Sequence, residues 1–121
     1  MQGEFISSRS GKGFAALTVH FPHDLTTAEQ ERAGAELAAI AEEEDQPVVV
    51  LDLSEMEAAY SRFLGAFLSL LRRQHERGGR LLLAGVRPLV AQTLELCALD
   101  VLFETFPTVE AALTAAGVEP G

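Results

Sequence analysis

The chain has 121 residues, 48% of them apolar, and sets 18 acidic side chains against 9 basic ones for a formal net charge of −9. That length suits one compact domain over residues 1–121, and the apolar share is too high for a disordered chain. The acidic balance argues against nucleic acid and against an anionic membrane surface, both of which need a basic footprint.

The start, Met1-Gln2-Gly3-Glu4-Phe5, lacks the basic residues and apolar run of a secretory signal. Arg, Glu or Asp interrupts every apolar stretch before the ~20 residues that a membrane span requires. A soluble, cytoplasmic protein is expected. Cys97 is the only cysteine, which excludes an internal disulfide and a cysteine-rich metal framework and predicts a buried structural thiol.

In chain order, Phe5 to Ser8 and Phe14 to His20 read as two strands joined by the turn Ser10-Gly11-Lys12-Gly13, a terminal hairpin. The Gly-Lys pair is not a phosphate loop, because Ile6 stands where that motif needs glycine and Gly13 where it needs Ser or Thr. Thr26 and Thr27, with Glu29 and Gln30 behind them, give overlapping capping-box signals. Ala33, Leu37, Ile40 and Ala41 then repeat at helical spacing. The run Glu42-Glu43-Glu44-Asp45 opposes the helix dipole and should fray into a loop before Pro47.

Val48 to Leu51 is apolar without alternation, as in a strand covered on both faces, and ends in Asp52. Ser61 to His75 is a helix whose apolar face holds Phe63, Leu64, Phe67, Leu68, Leu70 and Leu71. Basic residues suit its end before Gly78-Gly79. Leu81 to Ala84 is a second buried strand, and the three elements make a right-handed crossover unit. Pro88 opens a third helix with Val90, Leu94 and Cys97 on one face. Val101 to Phe106 supplies a short last strand, and Thr108 caps a final helix. The order β-β-α-β-α-β-α-β-α predicts an α/β fold with one mixed sheet, parallel at its centre.

Ligands and partners of such sheets meet the loops beyond the carboxyl ends of the strands, and the longest here runs from Asp52 to Ser61. A phosphate on Ser61 would place roughly −1.5 to −2 charge at a helix N-terminus beside Arg62; a plain helix cap is the simpler role. His20 and His23 have a metal-compatible spacing but no third ligand nearby in sequence, so no metal is expected. There is no nucleophile elbow, no recognisable Cys-His pairing and no paired acidic cluster of a receiver domain.

Three stretches carry a family resemblance: Val48 to Ser54, Tyr60 to Ala66, and Gly78 to Pro88. Together with Thr93 to Leu96, Leu99 to Glu104 and Thr108 to Leu113, they resemble the STAS domain of anti-sigma-factor antagonists. The similarity covers nearly the whole chain and is strongest over residues 47–116. It implies a non-enzymatic, cofactor-free regulator of transcription that binds an anti-sigma factor of the serine-kinase type. Ser61 falls on the family's phosphoacceptor serine and Gly65 on the last glycine of the family loop. Tyr60 stands for the usual Asp, Arg62 for a hydroxyl residue and Phe63 for a glycine. The resemblance implies a partner contact through Ser54, Glu55, Met56, Tyr60, Arg62, Phe63 and Leu64, with the outer face of the helix around it.

The turn Gly85-Val86-Arg87-Pro88 with Val90 to Leu94 also resembles the stressosome scaffold branch of the family. That implies an alternative role as a scaffold subunit of a larger assembly, stressosome-like or associated with a transporter, without regulated phosphorylation. Glu29 to Glu57 holds ten acidic residues against Arg32, and Arg62 to Arg87 six basic residues against Glu76. The molecule is expected to be electrically two-sided, with salt weakening its association with a partner.

Overall fold

The computed structural model describes residues 3–21 and 24–119, and of Ser61 the backbone alone. The elements follow the expected order: β1 (Ile6–Gly11), β2 (Phe14–Val19), α1 (Thr27–Glu44), β3 (Val48–Asp52), α2 (Ser61–Glu76), β4 (Arg80–Ala84), α3 (Pro88–Leu96), β5 (Glu104–Phe106) and α4 (Val109–Ala115). The strands lie in chain order in one five-stranded sheet. β1 pairs antiparallel with β2, with Ile6 opposite Val19, and every other neighbouring pair is parallel. The unalternating run of β3 takes the central place, since both of its faces are covered.

Side-chain alternation along the strands divides the core in two. Ala15, Leu17, Val19, Val49, Leu51, Leu81 and Leu83 point to one face and pack with α1, α2 and α3. Phe14, Ala16, Val48, Val50, Leu82 and Ala84 point to the other, where Val109, Ala112 and Leu113 of α4 cover them. Beyond α4, that second face opens into a cleft of about 360 Å³ whose lining includes Arg9, Thr18, Asp52, Ser54 and Glu110.

Local signals set most helix ends. Thr26 and Glu29 form the capping box, with Thr26 Oγ1 accepting from the Glu29 amide at 3.1 Å and the Glu29 carboxylate accepting from the Thr26 amide at 3.0 Å. Thr108 Oγ1 accepts from the Ala111 amide at the start of α4.

Four expectations are corrected. The acidic run stays helical to Glu44, because Asp45 closes the helix in the left-handed region (φ 35°) and Arg73 and Arg77 of α2 pair with Glu42 and Asp45. The two charge blocks therefore do not make two sides. Together with Arg62–Glu31 at 2.8 Å, these pairs join α1 to α2 along one seam. Such exposed pairs contribute about 0–1 kcal/mol each and partly neutralise both blocks. The last strand shrinks to Glu104–Phe106 because residues 97–102 are taken up by a turn.

Cys97 is the fourth correction. α3 ends at Leu96, Cys97 forms its C-cap, and Ala98 turns the chain away in the left-handed region (φ 57°), so the thiol leaves the apolar face and is exposed. Native protein should therefore titrate one thiol per chain with an aromatic disulfide reagent before any denaturant is added. Reaction only after unfolding would contradict this placement.

Candidate functional site

The segment from Asp52 to Tyr60 leaves the carboxyl end of the central strand and delivers the chain to the N-terminus of α2. Two apolar side chains pin it from below. Leu53 and Met56 are both fully buried, and the turn between them closes through the Met56 amide donating to the Leu53 carbonyl at 2.9 Å. The Asp52 carboxylate accepts from the Ser54 amide at 3.0 Å, which fixes the bend after β3. Ser54, Glu55 and Glu57 are left exposed on the outside of this turn.

Neighbouring elements hold the loop from three sides. His20, at the end of β2, bridges Ser7 Oγ at 2.7 Å through Nε2 and the Glu55 carboxylate at 3.0 Å through Nδ1. Arg87, just before α3, donates to the Ser54 carbonyl at 3.3 Å and stands 3.8 Å from the Glu57 carboxylate. Gly85 lets the two turns approach: its φ is 64°, and a Cβ there would meet Ser54 Cβ at 3.0 Å. On the third side, the Tyr60 hydroxyl accepts from the Leu25 amide at 3.2 Å. The junction is thus a preorganised surface.

At the junction itself, Tyr60 is the N-cap of α2 and makes no capping hydrogen bond, and the first turn contains no acidic residue. The positive end of the α2 dipole therefore lacks a carboxylate. Ser61 is the first helical residue. Behind it, Arg62, Gly65, Ser69 and Arg72 fall at helical spacing and are exposed, making one outward stripe. A Cβ added to Gly65 would meet nothing within 4 Å, so this part of the helix is open.

The structure sorts the residues expected to touch a partner. Ser54, Glu55 and Arg62 are exposed and Tyr60 is half-buried, and all four gather around the start of α2. Met56, Phe63 and Leu64 are corrected, since they are core residues at 0%, 0% and 6% exposure. Phe63 sits in an edge-to-face aromatic series, its ring centroid 5.0 Å from both Phe21 and Phe67, with Phe21 in turn 5.7 Å from Tyr60. The helical period that puts Phe63 and Phe67 on the apolar face points Phe63 away from any partner.

Sequence reasoning missed the ties through His20, Arg87 and Tyr60 to Glu55, Ser54 and Leu25, which span 33 to 35 residues of sequence and leave no local pattern. His20 is committed to Ser7 and Glu55, and His23 lies outside the described residues. Among the described residues, no three His, Cys, Asp or Glu side chains come together as a metal site, and no helix is long and apolar enough to cross a membrane.

A mixed five-stranded sheet with its elaborated loop at the carboxyl edge, leading into an uncapped helix start, defines a small α/β module. A family model described as "Mlab, STAS domain" matches residues 9–104, and the chain belongs to that family. Among curated proteins, no relative matches the sequence.

Solved structures share the fold. An anti-sigma-factor antagonist (STAS) domain protein from Planctomyces limnophilus superposes with a TM-score of 0.74 at 22% identity, over 91% of this chain and 95% of that one. The anti-sigma factor antagonist SpoIIAA in its unphosphorylated form gives 0.72 at 14% identity, over 93% and 97%; the phosphorylated form, from Bacillus, gives 0.66 at 13% identity, over 92% and 98%. A chain of the stressosome, described as a signal integration and transduction hub, gives 0.70 at 19% identity, over 92% and 96%.

Proposed function

We propose that this chain is a non-enzymatic, cytoplasmic regulator that binds an anti-sigma factor of the serine-kinase type through the start of α2, with Ser61 as the phosphoacceptor. The observation that carries this reading is the open helix N-terminus. Ser61 begins α2 at the mouth of the loop, the Tyr60 side chain does not cap it, and the first turn has no carboxylate of its own. Ser54, Glu55, Tyr60 and Arg62 surround it, held by His20, Arg87 and Leu25.

A phosphate on Ser61 would meet the helix dipole and Arg62, whose guanidinium now pairs with Glu31. Competition for Arg62 would then loosen the tie to α1 while adding negative charge at the contact. Phosphorylation would weaken binding by desolvation and like-charge repulsion. Tyr60 takes the place of the family's aspartate and spends its hydroxyl on Leu25, so the kinase would recognise the loop through Ser54 and Glu55.

Calorimetry against the host's serine-kinase-type anti-sigma factors tests this directly. Wild type and Ser61→Ala should bind alike, while Ser61→Asp should bind about tenfold or more weakly. ATP should add one phosphate to wild type and none to Ser61→Ala. Unchanged affinity of Ser61→Asp together with an unmodified Ser61 would remove the switch.

The likeness to a stressosome chain favours a second reading, a scaffold subunit. It predicts a stable high-mass species on co-expression with other STAS proteins and no affinity for a kinase of this type.

A further inference from the structure

Among the described residues, the exposed large apolar side chains are Leu89, Leu96, Val101 and Leu102, at 56%, 87%, 81% and 51% exposure, and all belong to α3 or the turn after it. Leu89 and Leu96 are two helical turns apart on one face, while Val90 and Leu94 of the same helix are buried. α3 is thus apolar on its inner and outer sides. The turn that presents Val101 is closed: the Leu99 amide donates to the Leu94 carbonyl at 2.8 Å and the Leu102 amide to the Leu99 carbonyl at 3.0 Å. Ala98 holds the left-handed backbone that makes this turn, a conformation that a residue other than glycine adopts at a cost. Four large apolar side chains exposed within fourteen residues of so small a domain mark an interaction surface.

The charge around the patch says what would cover it. Residues 88–119 contain Glu95, Asp100, Glu104, Glu110 and Glu119 and no Lys, Arg or His. Glu104 is paired with Arg80 at 2.7 Å and Glu110 with Arg9 at 3.6 Å. The Glu95 and Asp100 carboxylates, which flank Leu96 and Val101 in sequence, have no partner among the described residues. A second copy seated on the same face would bring these carboxylates against their own kind, and an anionic lipid surface would be repelled by them. An occupant that complements the patch brings apolar side chains flanked by Arg or Lys.

We propose that the outer face of α3 and the turn after it form a docking surface for a basic, apolar segment of a partner protein, separate from the Ser61 corner. Leu96 and Val101 fill the centre, and Glu95 and Asp100 supply the charge contacts at the rim.

The test uses the full chain and two synthetic amphipathic peptides with leucine on one face, one carrying arginine and the other glutamate on the opposite face. The arginine peptide should bind, with backbone NMR shifts confined to residues 89–102 and none at 54–62. The double variant Leu96→Ser, Val101→Ser keeps every charge and should lose binding by about tenfold or more. Both positions are exposed, so its thermal midpoint should match wild type. The pair Glu95→Arg, Asp100→Arg should reverse the preference to the glutamate peptide. Binding that survives the double serine variant would show mere charge attraction and overturn the proposal. So would absence of peptide binding, self-association removed by that variant, or flotation of the chain with phosphatidylglycerol vesicles.

Discussion

Phe63→Ala is expected to destabilise the protein by about 3–5 kcal/mol, the usual result of emptying a fully buried aromatic site. Phe63 is completely buried and its ring stands 5.0 Å from two others, Phe21 and Phe67, so no neighbour can close the gap without breaking a second edge-to-face contact. For a chain of this length, the loss corresponds to a fall in thermal midpoint of about 10–20 °C. The variant also separates two roles for this position. A partner contact would lose affinity at unchanged midpoint, whereas a core residue loses the midpoint first. A calorimetric scan with an unshifted midpoint would refute the core assignment. Because the gap adjoins Tyr60 through Phe21, the loop surface should also loosen in this variant.

Gln74→Leu should cost about 2–3 kcal/mol despite adding apolar surface in a buried place. Gln74 is the one buried polar side chain among the described residues, at 2% exposure, and its amide nitrogen donates to the carbonyls of Gln46, Pro47 and Arg80 at 3.1, 3.3 and 3.1 Å. One side chain near the end of α2 thus ties the entry to β3 to the start of β4. Gly79 is part of the same joint, since a Cβ there would lie 2.6 Å from the Pro47 carbonyl oxygen and 2.9 Å from the Gln74 amide nitrogen. Leucine leaves the Gln46 and Arg80 carbonyls without this donor, whereas Pro47 still accepts from the Arg80 amide at 2.7 Å.

Gln74→Glu extends the argument to pH. Its carboxyl would face carbonyl oxygens and be held neutral, with a folded pKa above the unfolded value. Its stability would be greatest below the unfolded carboxyl pKa and decline as pH rises through the folded one. Denaturant titrations of both variants between pH 4 and 8 would check this, and a pH-independent Gln74→Glu would refute the joint.

What could be read in the sequence is what local pattern encodes. The unalternating Val48 to Leu51, the Thr26 and Thr108 caps and the helical period of α2 each specify their element without help from distant residues. Errors arose where a distant group intervened or where two readings of one residue competed. The Glu42–Asp45 run stays ordered because arginines of another helix stand beside it. Cys97 matches the apolar spacing of α3, but the helix ends one residue earlier, a matter of the backbone at Ala98. Phe63 had both a helical period and a family alignment, and burial follows the period. The position of Ser61 at the start of α2 was legible; the ties that shape its surroundings were not, being made through His20, Tyr60 and Arg87.

The unequal clothing of the sheet bears on how the protein comes apart. Three helices guard one face, but on the other the apolar rows of β2, β3 and β4 rest under the seven residues of α4. A helix that short has no stability of its own, so it opens at a fraction of the global unfolding free energy. While it is lifted, Phe14, Val48, Val50 and Leu82 form a flat adhesive plane on an otherwise native molecule. Shelf life is then set by how often this flap lifts, and reinforcing its contacts would slow aggregation more than further strengthening the better-packed face.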